Sequence, residues 1–174
     1  MIKNLKQTNT KETILYNKIL SLSRNKLFYT KFALADTFQN RIYLIFFHFS
    51  FIFIKVDQNR GGIAYVNFYQ KMFDLLFYQI ELNMRELGHG DTTVNKNMKF
   101  LVKAFYNILL FCQDYRKKNK EYKGTFFSQY LKNNTDKKII NNDNLIKYFN
   151  AFQTFCFDLS SDSVLKGELK FNYK

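Results

Sequence analysis

The chain has no proline and no tryptophan, and only six glycines, two cysteines and two histidines among 174 residues. Proline breaks helices and glycine marks tight turns, so their scarcity leaves long helices uninterrupted and removes most turn signals of a β-sandwich or barrel. Cys112 and Cys156 lie in apolar helical patterns without a CxxC motif or a Cys/His cluster, which excludes a disulfide framework and makes both small buried hydrophobes. Neither His48 nor His89 stands at metal-ligand spacing from a cysteine or carboxylate, so no metal and no cofactor is expected. Gly61-Gly62 and Gly88-x-Gly90 follow helical rather than strand patterns, which excludes a dinucleotide fingerprint or a P-loop. No nucleophile with a base and no catalytic cluster can be assembled, so the chain is expected not to be an enzyme. Met1 to Lys6 opens into polar threonines and lacks the apolar run of a secretion signal, so the protein is expected to stay in the compartment where it is made.

Acidic residues are also few, 14 against 27 basic ones, for a formal net charge of +13. Such a balance favours an anionic partner, RNA or a lipid headgroup surface. The charge sits at the ends. Residues 1–35 carry seven Lys or Arg (Lys3, Lys6, Lys11, Lys18, Arg24, Lys26, Lys31) against Glu12 alone, and Arg116 to Lys123 is a second basic run. Residues 36–91 carry five basic and six acidic side chains. Arg116, Lys117, Lys118, Lys120 and Lys123 are the candidates for an anionic surface; their alternative role is to complement the dipole at a helix C-terminus.

What the chain has in quantity is apolar surface, 47% hydrophobic and 19% aromatic, enough for one core. The expected fold is all-α, a single helical domain of about six to eight helices around an antiparallel hairpin. Residues 1–10 form a basic N-terminus, 11–160 the helical domain and 161–174 a peripheral helix or tail. Ile14, Leu15, Ile19 and Leu22 mark a first amphipathic helix. Asp36-Thr37-Phe38-Gln39 has the form of an N-cap with a reciprocal Gln, opening a helix from Arg41 to Val56. Its apolar core from Ile42 to Ile54 spans 13 residues, short of the roughly 20 needed to cross a bilayer, so it is expected to be a buried central helix. Asp57 to Gly62 has turn composition.

From Ile63 to Leu87, Val66, Tyr69, Phe73, Leu76, Ile80, Met84 and Leu87 recur in steps of three or four, and Phe68, Met72, Leu75 and Leu82 form a second stripe. Gly88 ends this helix in a left-handed position, and Asp91 or Thr92 caps the next. Val94, Met98, Leu101, Phe105, Leu109, Cys112 and Tyr115 repeat the spacing, giving an antiparallel hairpin. A short helix near Thr125 to Lys132, a polar linker from Asn133 to Asn142 and a helix from Asp143 to Leu159 follow. Around Arg85-Glu86-Leu87-Gly88-His89-Gly90-Asp91, charges of both signs crowd a helix end. Either Glu81 pairs with Arg85 and Asp91 caps, a purely structural role, or the turn presents a rigid polar surface beside exposed aromatics such as Tyr78.

The stretch from Phe73 to Phe77 and from Asn83 to Asp91, then Val94 to Lys99 and Ala104-Phe105-Tyr106, resembles the hallmark of the ubiquinol-cytochrome c chaperone family. Asp36-Thr37, Arg41 and Leu44 to His48 resemble its other block. The resemblance covers roughly residues 10 to 160; Asn107 stands where the family has glycine, and Leu87 where it has methionine. It implies an all-helical, non-enzymatic assembly chaperone that binds newly synthesised cytochrome b during biogenesis of the ubiquinol-cytochrome c reductase (bc1) complex. It also implies a ribosome contact or a small partner protein as in the mitochondrial members, and no DNA. Tyr78, Arg85, Glu86, Gly88, Gly90, Asp91, Lys96, Tyr106 and His48 are then the expected client or partner contacts. The expected location is cytoplasmic and peripheral to a bacterial inner membrane, or the matrix side in a eukaryote. Two other readings fit the composition: a basic helical ribosome- or RNA-binding protein, and a peripheral lipid-binding protein using Ile42 to Ile54 or an aromatic groove between helices.

Overall fold

A computed structural model describes residues 10–57, 63–134 and 142–173. The expected turn at positions 58–62, most of the basic N-terminus and most of the polar linker lie outside the described residues. The elements are α1 (Lys11–Ser23), α2 (Leu27–Thr30), α3 (Phe38–Asp57), α4 (Ile63–Glu86), α5 (Asp91–Gln113), a 3-10 turn (Tyr115–Lys117), α6 (Lys120–Tyr130), α7 (Asn142–Asp158) and α8 (Ser161–Leu165). The fold is all-α. Among the described residues the extended backbone pairs only at Leu34 and Asn133, an isolated antiparallel bridge.

α3 is the axis. Every residue from Ile42 to Phe53 is buried, whichever side of the helix it occupies, and α3 touches α1, α4, α5, α7 and α8. A helix apolar on all sides has to be enclosed. No described helix is long and apolar enough to cross a membrane. The lipid-binding reading that used Ile42 to Ile54 is therefore corrected: those side chains already form the centre of the core, and exposing them would dismantle it.

The cap of α3 falls one residue later than the sequence suggests. Thr37 Oγ1 accepts from the Asn40 N–H at 3.2 Å, while Asp36 accepts from Arg41 at 2.6 and 2.8 Å and Gln39 donates to the Tyr43 hydroxyl. Asn40 is fully buried and does more than fill the first turn. Its amide donates to the Ala35 and Lys132 carbonyls at 2.7 and 2.8 Å, and its oxygen accepts from the Lys132 N–H at 2.9 Å. One buried side chain thus satisfies three backbone groups, tying the entry of α3 to the exit of α6.

The second polar tie runs from α3 to α7. His48, fully buried, donates Nδ1–H to the Leu44 carbonyl at 2.6 Å, and its Nε2 accepts from the Tyr148 hydroxyl at 2.8 Å. The carbonyl can only accept, which fixes the tautomer. Burial pushes the imidazole pKa down to about 4, so it is neutral. His48 is expected among the client contacts; it reaches no surface, because both nitrogens are consumed inside the core.

α4 and α5 form the expected antiparallel hairpin, with Phe73 and Phe77 of α4 against Phe105 of α5 at 5.7 Å each. The stripe proposed for α4 is only partly inside. Val66 is 69% exposed and Leu87 53%, and the buried face is completed instead by Phe77, Gln79 and Asn83. Val66 lies in the first turn of α4 and Leu87 just past its last, at the two ends of the helix. After α7, Val164 and Leu169 enter the core, and Phe171 and Tyr173 pack on α7 rings, Phe171 on Phe152 at 5.0 Å and Tyr173 on Tyr148 at 4.9 Å.

A histidine whose folded pKa lies below its unfolded one binds its proton preferentially in the unfolded chain, so stability is full above about pH 6.5 and falls towards pH 4. Urea denaturation across that window should show a loss of about 3 kcal/mol attributable to His48. His48→Asn, which cannot titrate, should lack this component. Tyr148→Phe, which leaves Nε2 without a donor, should cost about 1–3 kcal/mol at pH 7.

Candidate polar turn between two helices

The turn from Arg85 to Asp91 is built by two local rules. Gly88, with φ +85°, occupies the left-handed position after α4. The Gly88 N–H donates to the Arg85 carbonyl at 2.9 Å and the His89 N–H to the Met84 carbonyl at 3.2 Å, the paired bonds of a Schellman motif. Gly90, extended at φ −72°, ψ 161°, is the N-cap of α5 and supplies no side-chain cap. Asp91 is expected to cap; it is the first helical residue instead, and its carboxylate turns back to Arg85.

Arg85 holds the two helices together from outside. Its guanidinium donates to Glu81 Oε1 at 2.9 and 3.0 Å and also to Asp91 Oδ1. Asp91 first and Glu81 second stabilise the charged form and raise its pKa. Of the structural reading, the Glu81–Arg85 pair forms while the Asp91 cap does not, and all three charged groups stay at the surface. Exposed ion pairs add little stability, between 0 and about 1 kcal/mol. What the cluster provides is order, a fixed arrangement of one cation between two anions.

The expected contact residues do not form one site. Glu86, Gly88, Gly90, Asp91 and Lys96 surround the turn, and Tyr78, 60% exposed, lies seven residues before Arg85 on the same side of α4. Tyr106 is 15 residues beyond Asp91, about 22 Å along α5. It sits instead beside Phe73, ring centroids 6.0 Å apart. Asn107, in place of the family's glycine, is an exposed residue in the middle of α5.

The second basic run is divided rather than continuous. Asn119 accepts from the Tyr122 N–H at 2.8 Å and starts α6, so Lys120 and Lys123 lie at a helix N-terminus, opposite to the dipole complementation expected of them. Lys117 pairs with Asp114 at 2.8 Å and Lys120 with Asp143 at 2.7 Å. Arg116 stacks on Phe157 at 4.1 Å and Lys118 on Tyr122 at 4.8 Å. Lys123 is 8% exposed, its ammonium 4.0 Å from the Tyr115 ring centre and 3.3 Å from Asn150 Oδ1. It is thereby removed from the anionic-surface set, because its charge is spent on a ring and an amide inside the core.

Two lysines missed in the sequence are more open: Lys99 and Lys103 continue from the expected contact Lys96 along the outside of α5, beside exposed Phe100 and Leu110. Their spacing, 96, 99 and 103, was the signal available. Asn40 carried no such signal, since its partner after α6, Lys132, lies 92 residues away.

The α4–α5 hairpin therefore ends in an ordered, exposed polar turn carried on an all-helical frame. Residues 30–171 match the family model of the ubiquinol-cytochrome c chaperones, and the chain belongs to that family. Its fold is similar to the crystal structure of the Cbp3 homolog from Brucella abortus, with a TM-score of 0.78 and 20% sequence identity over 94% of this chain and 89% of that one. No curated protein sequence matches the chain.

The two glycines of the turn should separate in a stability measurement. Gly88→Ala forces an L side chain into the left-handed region and should cost about 1–2 kcal/mol in chemical denaturation. A Cβ on Gly90 meets nothing within 4 Å. Gly90→Ser, a better N-cap, should leave stability unchanged or raise it by a few tenths of a kcal/mol.

Proposed function

We propose that this chain is an assembly chaperone that binds newly synthesised cytochrome b and delivers it into the bc1 complex, using the polar turn between α4 and α5 as a contact surface. Membership of the ubiquinol-cytochrome c chaperone family over residues 30–171 carries this reading. The turn supports it physically. Arg85, Glu81 and Asp91 are already fixed in place, so little conformational entropy is lost when a partner docks on them. Gly90 leaves the backbone uncovered where its own fold has room for a side chain, an arrangement suited to close approach by another chain. Tyr78 adds a rigid amphipathic ring on the same side of α4. On this reading the chaperone works at the membrane surface facing the site of synthesis, cytoplasmic in a bacterium and matrix-side in a mitochondrion. A ribosome or a small partner protein would then be a second contact, and no reaction is catalysed.

In-cell crosslinking of the tagged full chain, followed by mass spectrometry, tests the client directly. Cytochrome b should be enriched over other abundant membrane proteins; recovery of ribosomal proteins alone would overturn the assignment. Arg85→Ala, Asp91→Ala and Gly90→Ser should each lower assembled bc1 complex several-fold while circular dichroism is unchanged. Each should shift unfolding free energy by less than about 1 kcal/mol. Loss of assembly only in step with loss of folding would assign the turn a purely structural role.

A further inference from the structure

The outside of α5 is unlike an ordinary solvent-facing helix side. Between Asp91 and Gln113 the helix has no acidic residue, and its core side is Val94, Leu101, Ala104, Phe105, Ile108, Phe111 and Cys112. At 100° per residue, Lys96, Lys99, Lys103, Tyr106 and Leu110 fall within one narrow stripe on the opposite side. All five are exposed, Tyr106 by 47% and Leu110 by 61%, and Phe100 flanks them at 58%. Cations occupy the half towards Asp91 and apolar groups the half towards Gln113, over about 21 Å.

We propose that this stripe docks the chain on the surface of an anionic lipid bilayer, with the three ammonium groups at phosphate headgroups and Phe100, Tyr106 and Leu110 entering the interface. Three observations favour it. Among the described residues no carboxylate pairs with Lys96, Lys99 or Lys103, whereas the nearby acids are engaged: Glu81 and Asp91 by Arg85, Asp74 by the Gln70 amide. The charge is therefore available to an external anion. Exposed Leu110 and, on α4, exposed Val66 are aliphatic groups that gain from leaving water. Leu110 has no π-face to stack a nucleobase and gains only from an apolar surrounding, while Phe100 and Tyr106 are the kind of ring that settles at a bilayer interface, so the stripe as a whole suits a lipid surface better than a single-stranded nucleic acid. Finally, lysine stems bury their methylenes while their heads stay hydrated, the arrangement an interfacial helix uses.

The site is independent of any protein client, so the purified full chain suffices to test it. Sedimentation with vesicles of phosphatidylcholine containing phosphatidylglycerol should show saturable binding that weakens with salt, and pure phosphatidylcholine vesicles should bind far less. Lys96→Gln, Lys99→Gln and Lys103→Gln combined should reduce affinity roughly 100-fold, at about fivefold per lysine near an anionic surface. Phe100→Ser with Leu110→Ser should abolish the part of the binding that survives high salt. The control, Lys117→Gln, Lys118→Gln and Lys120→Gln combined, removes the same formal charge elsewhere and should lose far less. Equal losses in the two triple variants would overturn the site in favour of diffuse attraction by the net charge. Binding of single-stranded RNA without binding of vesicles would overturn it in favour of a nucleic acid surface.

Discussion

Enclosing α3 on every side is the constraint on which the other helices depend. Its residues from Ile42 to Phe53 leave no face for solvent, so the core forms only when α1, α4, α5, α7 and α8 surround it. Hydrophobic contact alone would permit many arrangements of aromatic rings around such a rod, because apolar packing is weakly directional. The polar ties reduce that freedom. His48 Nε2 accepts a hydrogen bond from one hydroxyl, that of Tyr148, and Asn40 bonds the backbone on both sides of one junction, at Ala35 before α3 and at Lys132 after α6. Misplacing α7 or α6 would leave a buried donor or acceptor unpaired, at about 1–3 kcal/mol for each. Dispersed aromatic packing thus supplies the driving force, and two side chains near the axis set the angular position of the outer helices.

The same distinction separates what was legible in the sequence from what was not. Helix lengths and the hairpin follow from local rules: the absence of proline, the 3.6-residue spacing and the Gly88 stop all operate within a few residues of themselves. The Glu81–Arg85 pair is equally local. Burial is not local. Val66 fits the apolar spacing of α4 and is nonetheless exposed, because spacing says which residues share a side and nothing about how far the neighbouring helices extend. Lys123 illustrates the converse, a charge counted as surface that enters the core because Asn119 starts a new helix and rotates it towards Tyr115 and Asn150. Capping signals identified the start of α3 to within one residue, but whether Asp36 or Thr37 made the bond depended on Arg41 claiming the aspartate. Of the candidate site, the turn was visible because its members are adjacent in sequence. His48 lies on the helix expected to be buried, and only the family resemblance sets it among the client contacts; its partner there, Tyr148, is 100 residues away and leaves no local signal.

α5 connects the two surfaces assigned to this protein. Its first residue, Asp91, belongs to the polar turn, and its outer stripe begins five residues later at Lys96. A helix is stiff over this distance, so whatever fixes the stripe also fixes the direction of the turn. If α5 lies along a bilayer surface, its N-terminal end and Arg85 are held at headgroup level rather than projecting into solvent. A client helix leaving or entering the membrane would meet the charged cluster there, where partial dehydration strengthens each ionic contact relative to bulk water. An ordered but energetically modest ion-pair cluster then has a use that its small contribution to folding does not explain. In that placement it would hold a fixed pattern of one cation between two anions at headgroup depth, without adding apolar surface that competes with the bilayer.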